Sequence, residues 1–157
     1  MCRERSKRYS IFQIAKYYKQ KENRISHRKL QLLCWYAQSW YLFLNNNHKY
    51  NIKERLFDDI PEAWTHGATY ISLYDDIYKN DCRGINSSKD IDSKKTIKFL
   101  EEVYLEYGKY TTSELESIML QEYAFCKARN GMKPSTPSCI KIDIRDVFMT
   151  IYIGNNI

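Results

Sequence analysis

The sequence predicts a mainly α-helical fold, a single compact domain around a buried central helix at about 26–45, on three observations. Glycine (5) and proline (3) are scarce among 157 residues, so the punctuation that strands and tight turns require is thin. Residues 30–44 carry Leu30, Leu32, Leu33, Cys34, Trp35, Tyr36, Ala37, Trp40, Tyr41, Leu42, Phe43 and Leu44. Such a run covers every face of a helix, and a helix apolar all round is buried all round. Apolar residues elsewhere recur at i, i+3, i+4 and i+7, the spacing of amphipathic helices.

The elements follow in order. Ser10 offers an N-cap to a helix over 11–22, with Ile11, Ile14, Ala15 and Tyr18 on one face. Asn23-Arg24-Ile25 interrupts it, Ser26 caps the central helix, and Asn45-Asn46-Asn47-His48 ends that helix. At 1.5 Å per residue it spans roughly 29 Å, the width of a small domain. Past Lys29 its long polar side chains are Gln31 and Gln38, two turns apart on one side. They are expected to be structural, hydrogen-bonded to the irregular segment 56–70, where Pro61 breaks helical continuity. A short helix is expected over 71–79. Residues 80–93, with Gly84, Asn86, Ser87 and Ser88, read as an exposed mobile loop. Ser93 caps a helix over 94–107, which Gly108 ends as a C′ glycine. Thr111 and Glu114 form a capping-box pattern that opens a helix to about 120, and a further helical stretch reaches Arg129. Cys139 to Ile142 alternates weakly as a short strand would, which leaves room for one short two-stranded β pair. Asp143 caps a last helix over 144–151. The expected organisation is a basic N-terminal tail, 1–9, and one helical domain, 10–153.

Charge is unevenly spread. Residues 1–29 hold ten Lys/Arg against two Glu, whereas the rest holds fifteen basic against seventeen acidic residues. A basic end is either a solvated face or an attraction to nucleic acid or an acidic partner. Helix 11–22, a short turn and a second helix opening Ser26-His27-Arg28-Lys29 outline a helix-turn-helix. After Lys29, however, that second helix is apolar on every side, so a nucleic-acid partner is open but not favoured. The five cysteines form no CxxC pair, and the first ten residues have no secretory pattern, so free thiols in a reducing cytoplasm are expected. The run 30–44 is too short and mixed to span a membrane.

The sequence offers little catalytic chemistry. His27, His48 and His66 are scattered without ligand spacing, so no metal and no cofactor is expected. Ser26-x-x-Lys29 has the spacing of an acyl-enzyme nucleophile and base, but the companion motifs are missing. Asp58-Asp59 and Asp75-Asp76 are adjacent pairs whose side chains diverge on a helix. No catalytic residue is assigned, and the chain is expected not to be an enzyme.

Residues 25–42, reading I-S-H-R-K-L-Q-L-L-C-W-Y-A-Q-S-W-Y-L, resemble the signature helix of the Panacea domain, approximately I-T-x-x-K-L-Q-K-L-L-Y-Y-A-Q-G-W-Y-L. Glu62-Ala63-Trp64-Thr65-His66-Gly67 is similar to that family's E-A-W-x-H-G-P-V. Tyr107-Gly108-Lys109-Tyr110-Thr111, Glu114-Leu115 and Lys127-Ala128-Arg129 are similar to its Y-G-K-Y-S-x-x-E-L and K-A-R. The three ordered blocks fall within residues 11–152. Departures are Ser39 for Gly, Ala68 for Pro, Leu120 for His, and Tyr123-Ala124-Phe125 for G-P-W. The family includes SocA-like antitoxins and GepA-like phage-associated proteins. The resemblance implies a helical fold and an antitoxin function: neutralising a partner toxin by direct protein–protein binding, or delivering it to a protease. Alternatives are a phage-encoded inhibitor of a host defence system, such as an anti-CRISPR, and a DNA-binding regulator using the basic N-terminal region. Aromatic residues next to irregular backbone are the expected partner contacts: Trp64, His66, Tyr70, Tyr74 and Tyr110.

Overall fold

The computed structural model describes residues 8–155, so residues 1–7 of the expected basic tail lie outside the described part. Arg8 and Tyr9 are already docked. Tyr9 N donates to Leu56 O at 2.8 Å, its hydroxyl meets Thr96 Oγ1 at 3.1 Å, and Arg8 pairs with Asp58.

The central helix is α2 (His27–Asn45). Every residue from Lys29 to Ser39 is buried, as is Leu42. The other elements are laid against it: α1 (Ile11–Lys21), α3 (Ile71–Lys79), α5 (Lys94–Tyr107), α6 (Thr112–Met119), α8 (Ile144–Asn155) and β2 (Gly67–Thr69). The short α4 (Arg83–Ser87) packs on α1 and α3, α7 (Tyr123–Ala128) packs on α8, and β1 (Glu62–Trp64) pairs with β2. The fold is therefore mainly helical, with eight helices and one two-stranded antiparallel sheet among the described residues.

Side-chain caps fix the helix starts. Ser10, Ser26, Ser93 and Thr111 each accept from a first-turn backbone N–H, and Ser10–Gln13 and Thr111–Glu114 complete capping boxes. At the far end of α5 the glycine works differently from expectation. Gly108 is right-handed (φ −65°), not the left-handed C′ residue. A Cβ there would lie 2.6 Å from the Tyr104 ring, so glycine is required for close approach. Its carbonyl accepts from buried Lys29 at 2.9 Å, and Lys29 also pairs with Glu22 at 3.0 Å. Glu22 accepts from the Tyr104 hydroxyl. This network ties the end of α1, the start of α2 and the end of α5.

Three side-chain amides hold the irregular segment. Gln38 donates to Phe57 O at 2.7 Å and accepts from Leu56 N at 2.9 Å. Gln31 donates to Tyr70 O at 3.0 Å and accepts from Tyr70 N at 2.8 Å. Asn46, the C-cap of α2, donates to Glu54 O and accepts from Lys53 N and Glu54 N. A buried backbone group left unpaired costs about 1–3 kcal/mol, so each glutamine offsets two such losses.

Two expected elements are corrected. The expected short β pair is present, at 62–69, whereas 139–142 is not the short strand expected there. The register of the pair is Glu62↔Thr69, Ala63↔Ala68 and Trp64↔Gly67, closed by Thr65-His66. Gly67 has φ +129°, which favours glycine, and a Cβ there would lie 3.3 Å from Met119 and 3.5 Å from Leu32. Residues 140–142 add only a bridge to β1, through Ala63 N to Ile140 O and Ile142 N to Pro61 O. Buried Arg129 clamps the same region by donating to Ala63 O, Lys133 O and Thr136 O. The stretch 80–93 is not an exposed loop throughout. Buried Asp76 accepts from Gly84 N and Ile85 N, which fixes the start of α4, and Ile85 and Ile91 are buried.

Glu122 joins α7 to α2. Its carboxylate accepts from the Tyr36 hydroxyl and from Trp35 Nε1 at 3.4 Å. The Tyr36 ring stacks on Tyr107, and the Tyr107 hydroxyl accepts from Trp40 Nε1 at 2.7 Å. Burial pushes the Glu122 pKa from 4.5 up to about 7, against the lowering effect of its two donors. The folded state therefore holds this proton more tightly than the unfolded chain. The corresponding stability is present at acidic pH and is lost as pH rises from about 4.5 to about 7. Glu122→Gln keeps an acceptor and removes the charge. Its melting temperature should fall less than that of the unaltered protein between pH 5 and 8; parallel profiles would show that Glu122 is not held this way.

Candidate functional site

Three segments far apart in sequence meet beside the first turn of α2. His27, Arg28, Gln31 and Leu32 come from α2, Trp64, His66, Ala68 and Thr69 from the hairpin, and Tyr74 and Tyr78 from α3. They line an open cup of about 170 Å³. Local chemistry explains its shape. The two bonds from Gln31 to Tyr70 set where α3 begins relative to α2. The tight turn at Thr65-His66 then brings Trp64 to the same side.

The rings brace one another. Trp64 meets Tyr74 edge-on at 5.0 Å, Tyr74 lies 4.7 Å from Tyr78, and Tyr78 meets the His27 ring edge-on at 5.0 Å. Such offset and edge-to-face arrangements are the favourable ones for aromatic pairs. The Trp64 indole N–H is held by Glu62 Oε1 at 3.0 Å. Gln31 Nε2 lies 3.0 Å from His27 Nε2, which accepts in the neutral ring. Burial, and then the charge of Arg28, lowers the His27 pKa, so the neutral ring is favoured. Arg28 pairs with Glu116 of α6. Tyr78 is 62% exposed, His66 is exposed, and Trp64 and Tyr74 are half-buried.

Of the five expected contact residues, Trp64, His66 and Tyr74 come together in the cup. Tyr70 is a correction. It is fully buried, edge-on to Phe57 at 5.3 Å, and its backbone is occupied by Gln31. It supports the cup from below. Tyr110 does not line the cup; it is a half-buried residue packed on the core, with Lys109 Nζ 5.3 Å from its ring. Sequence reasoning did not select His27, Arg28 and Tyr78. The signal for Tyr78 was its i+4 spacing from Tyr74 on α3.

Other motifs resolve into structure. Ser26 Oγ accepts from Lys29 N and bonds Thr112 Oγ1 at 2.7 Å, while Lys29 Nζ is held by Glu22 and Gly108 O, so the S-x-x-K string is a cap and an ion pair. Asp58 pairs with Arg8 and Asp59 accepts from Ser72, whereas Asp75 pairs with Lys79 and Asp76 turns inward. Among the described residues up to position 29, Arg8, Lys16, Lys21, Arg28 and Lys29 all pair with acidic side chains. No helix among the described residues is long and apolar enough to cross a membrane. No group of three His, Cys, Asp or Glu among them is placed to hold a metal ion.

No family model, curated protein or solved structure matches the chain.

The division between support and surface predicts opposite substitution costs. Tyr70→Ala should cost about 3–5 kcal/mol in unfolding free energy, as for other buried aromatics. Tyr78→Ala should cost under about 1 kcal/mol. Equal costs in denaturant titration would contradict the assignment.

Proposed function

We propose that this chain is an antitoxin-type protein, which neutralises a partner toxin by direct protein–protein binding through the aromatic cup, and that it is not an enzyme. The observation that carries the reading is the convergence of His27, Trp64, His66 and Tyr74 on one open cup. These residues come from two of the motif blocks that resemble the Panacea domain and from the aromatic helix after the second. Aromatic side chains that frame a pocket at the surface are the usual anchors of protein interfaces. Exposed Tyr78 extends the cup outward as a contact surface.

The nucleic-acid reading draws less support. Its recognition helix would be α2, but Lys29 is buried and paired, and Arg28 is engaged by Glu116. Both cations of that helix's first turn are thereby engaged by acidic side chains.

The test is co-expression with the product of an adjacent gene that arrests growth. The unaltered chain should restore growth, and Tyr78→Ala, although folded, should restore it poorly. A folded chain that relieves the toxicity of no neighbouring product overturns the reading.

A further inference from the structure

The second half of α2 and one flank of α5 leave a channel apart from the cup. Trp40 and Leu44 of α2 and Phe99, Val103 and Tyr107 of α5 line a hollow of about 450 Å³. It shares Leu44, Phe99 and Glu102 with a neighbouring hollow of about 620 Å³ that reaches back to Ser93. Together the two follow α5 from Ser93 to Tyr107, which at 1.5 Å per residue is roughly 21 Å. About 20 Å of helix separates His27 of the cup from Trp40, so the two sites are distinct.

The lining at the Tyr107 end is largely apolar. Leu44 is 61% exposed, and the Trp40 indole N–H is spent on the Tyr107 hydroxyl. Trp40 and Leu44 stand at i, i+4, as do Phe99 and Val103, and rows of that spacing are the ridges that a further helix packs against. A length of roughly 21 Å matches about fourteen residues of helix. A polypeptide fills it; a small molecule does not.

Charge selects among polypeptides. The charged residues lining the Tyr107 end are Glu102 and Glu106, both exposed. Glu102 has no hydrogen bond or ion pair among the described residues, and Glu106 has one loose pair, with Lys109 at 3.9 Å. Their position is also unfavourable for the helix that carries them. Glu106 lies in the last turn of α5 and Glu102 one turn earlier, and the last turn holds no basic residue. Negative charge near a helix C-terminus opposes the macrodipole. Residues kept for binding often carry such a cost in stability. Nucleic acid and anionic lipid would be repelled here, and a lysine or arginine attracted. The other end is mixed, with Asp92, Lys95 and Lys98.

We infer that the channel is a docking surface for a helical segment of a protein partner, which lays an apolar face between α2 and α5 and sets Lys or Arg against Glu102 and Glu106. It is a second contact surface and does not depend on the antitoxin reading.

Two acetylated and amidated peptides test this on the full chain. AELLEALAKLLKA has an apolar helical face and lysines at one end, and AELLEALAELLEA is its all-glutamate counterpart. The chain's net charge of +6 favours the second peptide wherever binding is only long-range attraction; the channel favours the first. The readout is the NMR spectrum of the indole N–H groups, because the three tryptophans report three places: Trp40 the channel, Trp64 the cup and Trp35 the core.

The lysine peptide should shift Trp40 saturably, with a dissociation constant on the order of 100 µM, and leave Trp64 and Trp35 in place. The glutamate peptide should bind at least about fivefold more weakly. Glu102→Gln combined with Glu106→Gln should weaken the lysine peptide about three- to tenfold without lowering the melting temperature. Equal or tighter binding of the glutamate peptide overturns the proposal. So do a shift at Trp64 alone, no shift at Trp40, and unchanged affinity in the double variant. A Trp40 signal that moves on dilution without peptide would mean that a second copy covers the channel. One that moves when residues 1–7 are removed would mean that the chain's own N-terminal residues cover it. Either result also overturns the proposal.

Discussion

Side-chain amides perform the work that a β-ladder performs in other folds. The stretch from Lys53 to Tyr70 has little regular structure, yet Leu56, Phe57 and Tyr70 lie in the core. Buried backbone must find partners. Gln31, Gln38 and Asn46 supply them from one helix and its cap, each meeting a carbonyl and an N–H of this stretch. An apolar helix without these residues could bury its rings but could not hold an irregular chain in register. The two glutamines are polar for that reason, at buried positions within a largely apolar helix.

Everything at the surface depends on that arrangement. Gln31 fixes the first residue before α3, and α3 carries Tyr74 and Tyr78. The same amide approaches His27 on the opposite wall. One side chain thus sets the spacing between two walls of the cup, while Gly67 lets the third, the hairpin, settle onto Leu32 and Met119. The charge distribution follows a similar economy. Much of the basic excess in the described N-terminal part is consumed by ion pairs that fasten α1 and α2 to the elements around them. Among the described residues, Arg8, Lys16, Lys21, Arg28 and Lys29 of that charge run serve as internal fastening.

Much of the fold was legible because its signals are local. An all-round apolar run specifies a buried helix, and Ser10, Ser26, Ser93 and Thr111 each announce a helix start within four residues. The failures share a different cause, contacts made at long range. Strands of three residues are too short to show alternation, and the hairpin is stabilised by α2 and α6 beneath Gly67. The polar stretch after Asn80 is ordered by Asp76, whose acceptors reach residues 84 and 85. Gly108 looked like a left-handed cap, but its reason is the folded-back ring of Tyr104. For the site, aromatic character beside irregular backbone found Trp64, His66 and Tyr74. It could not separate Tyr70, whose burial follows from its pairing with Gln31, nor place Tyr110.

The most direct test is native-state hydrogen exchange at two amides, Leu56 and Tyr70. Both lie outside regular structure, and both donate to a glutamine of α2. If that helix holds the segment in place, the two amides should exchange only through the opening that exposes the core amides of α2, with the same free energy and denaturant dependence. Exchange at Leu56 and Tyr70 through a low-energy local opening, while α2 stays protected, would contradict the account.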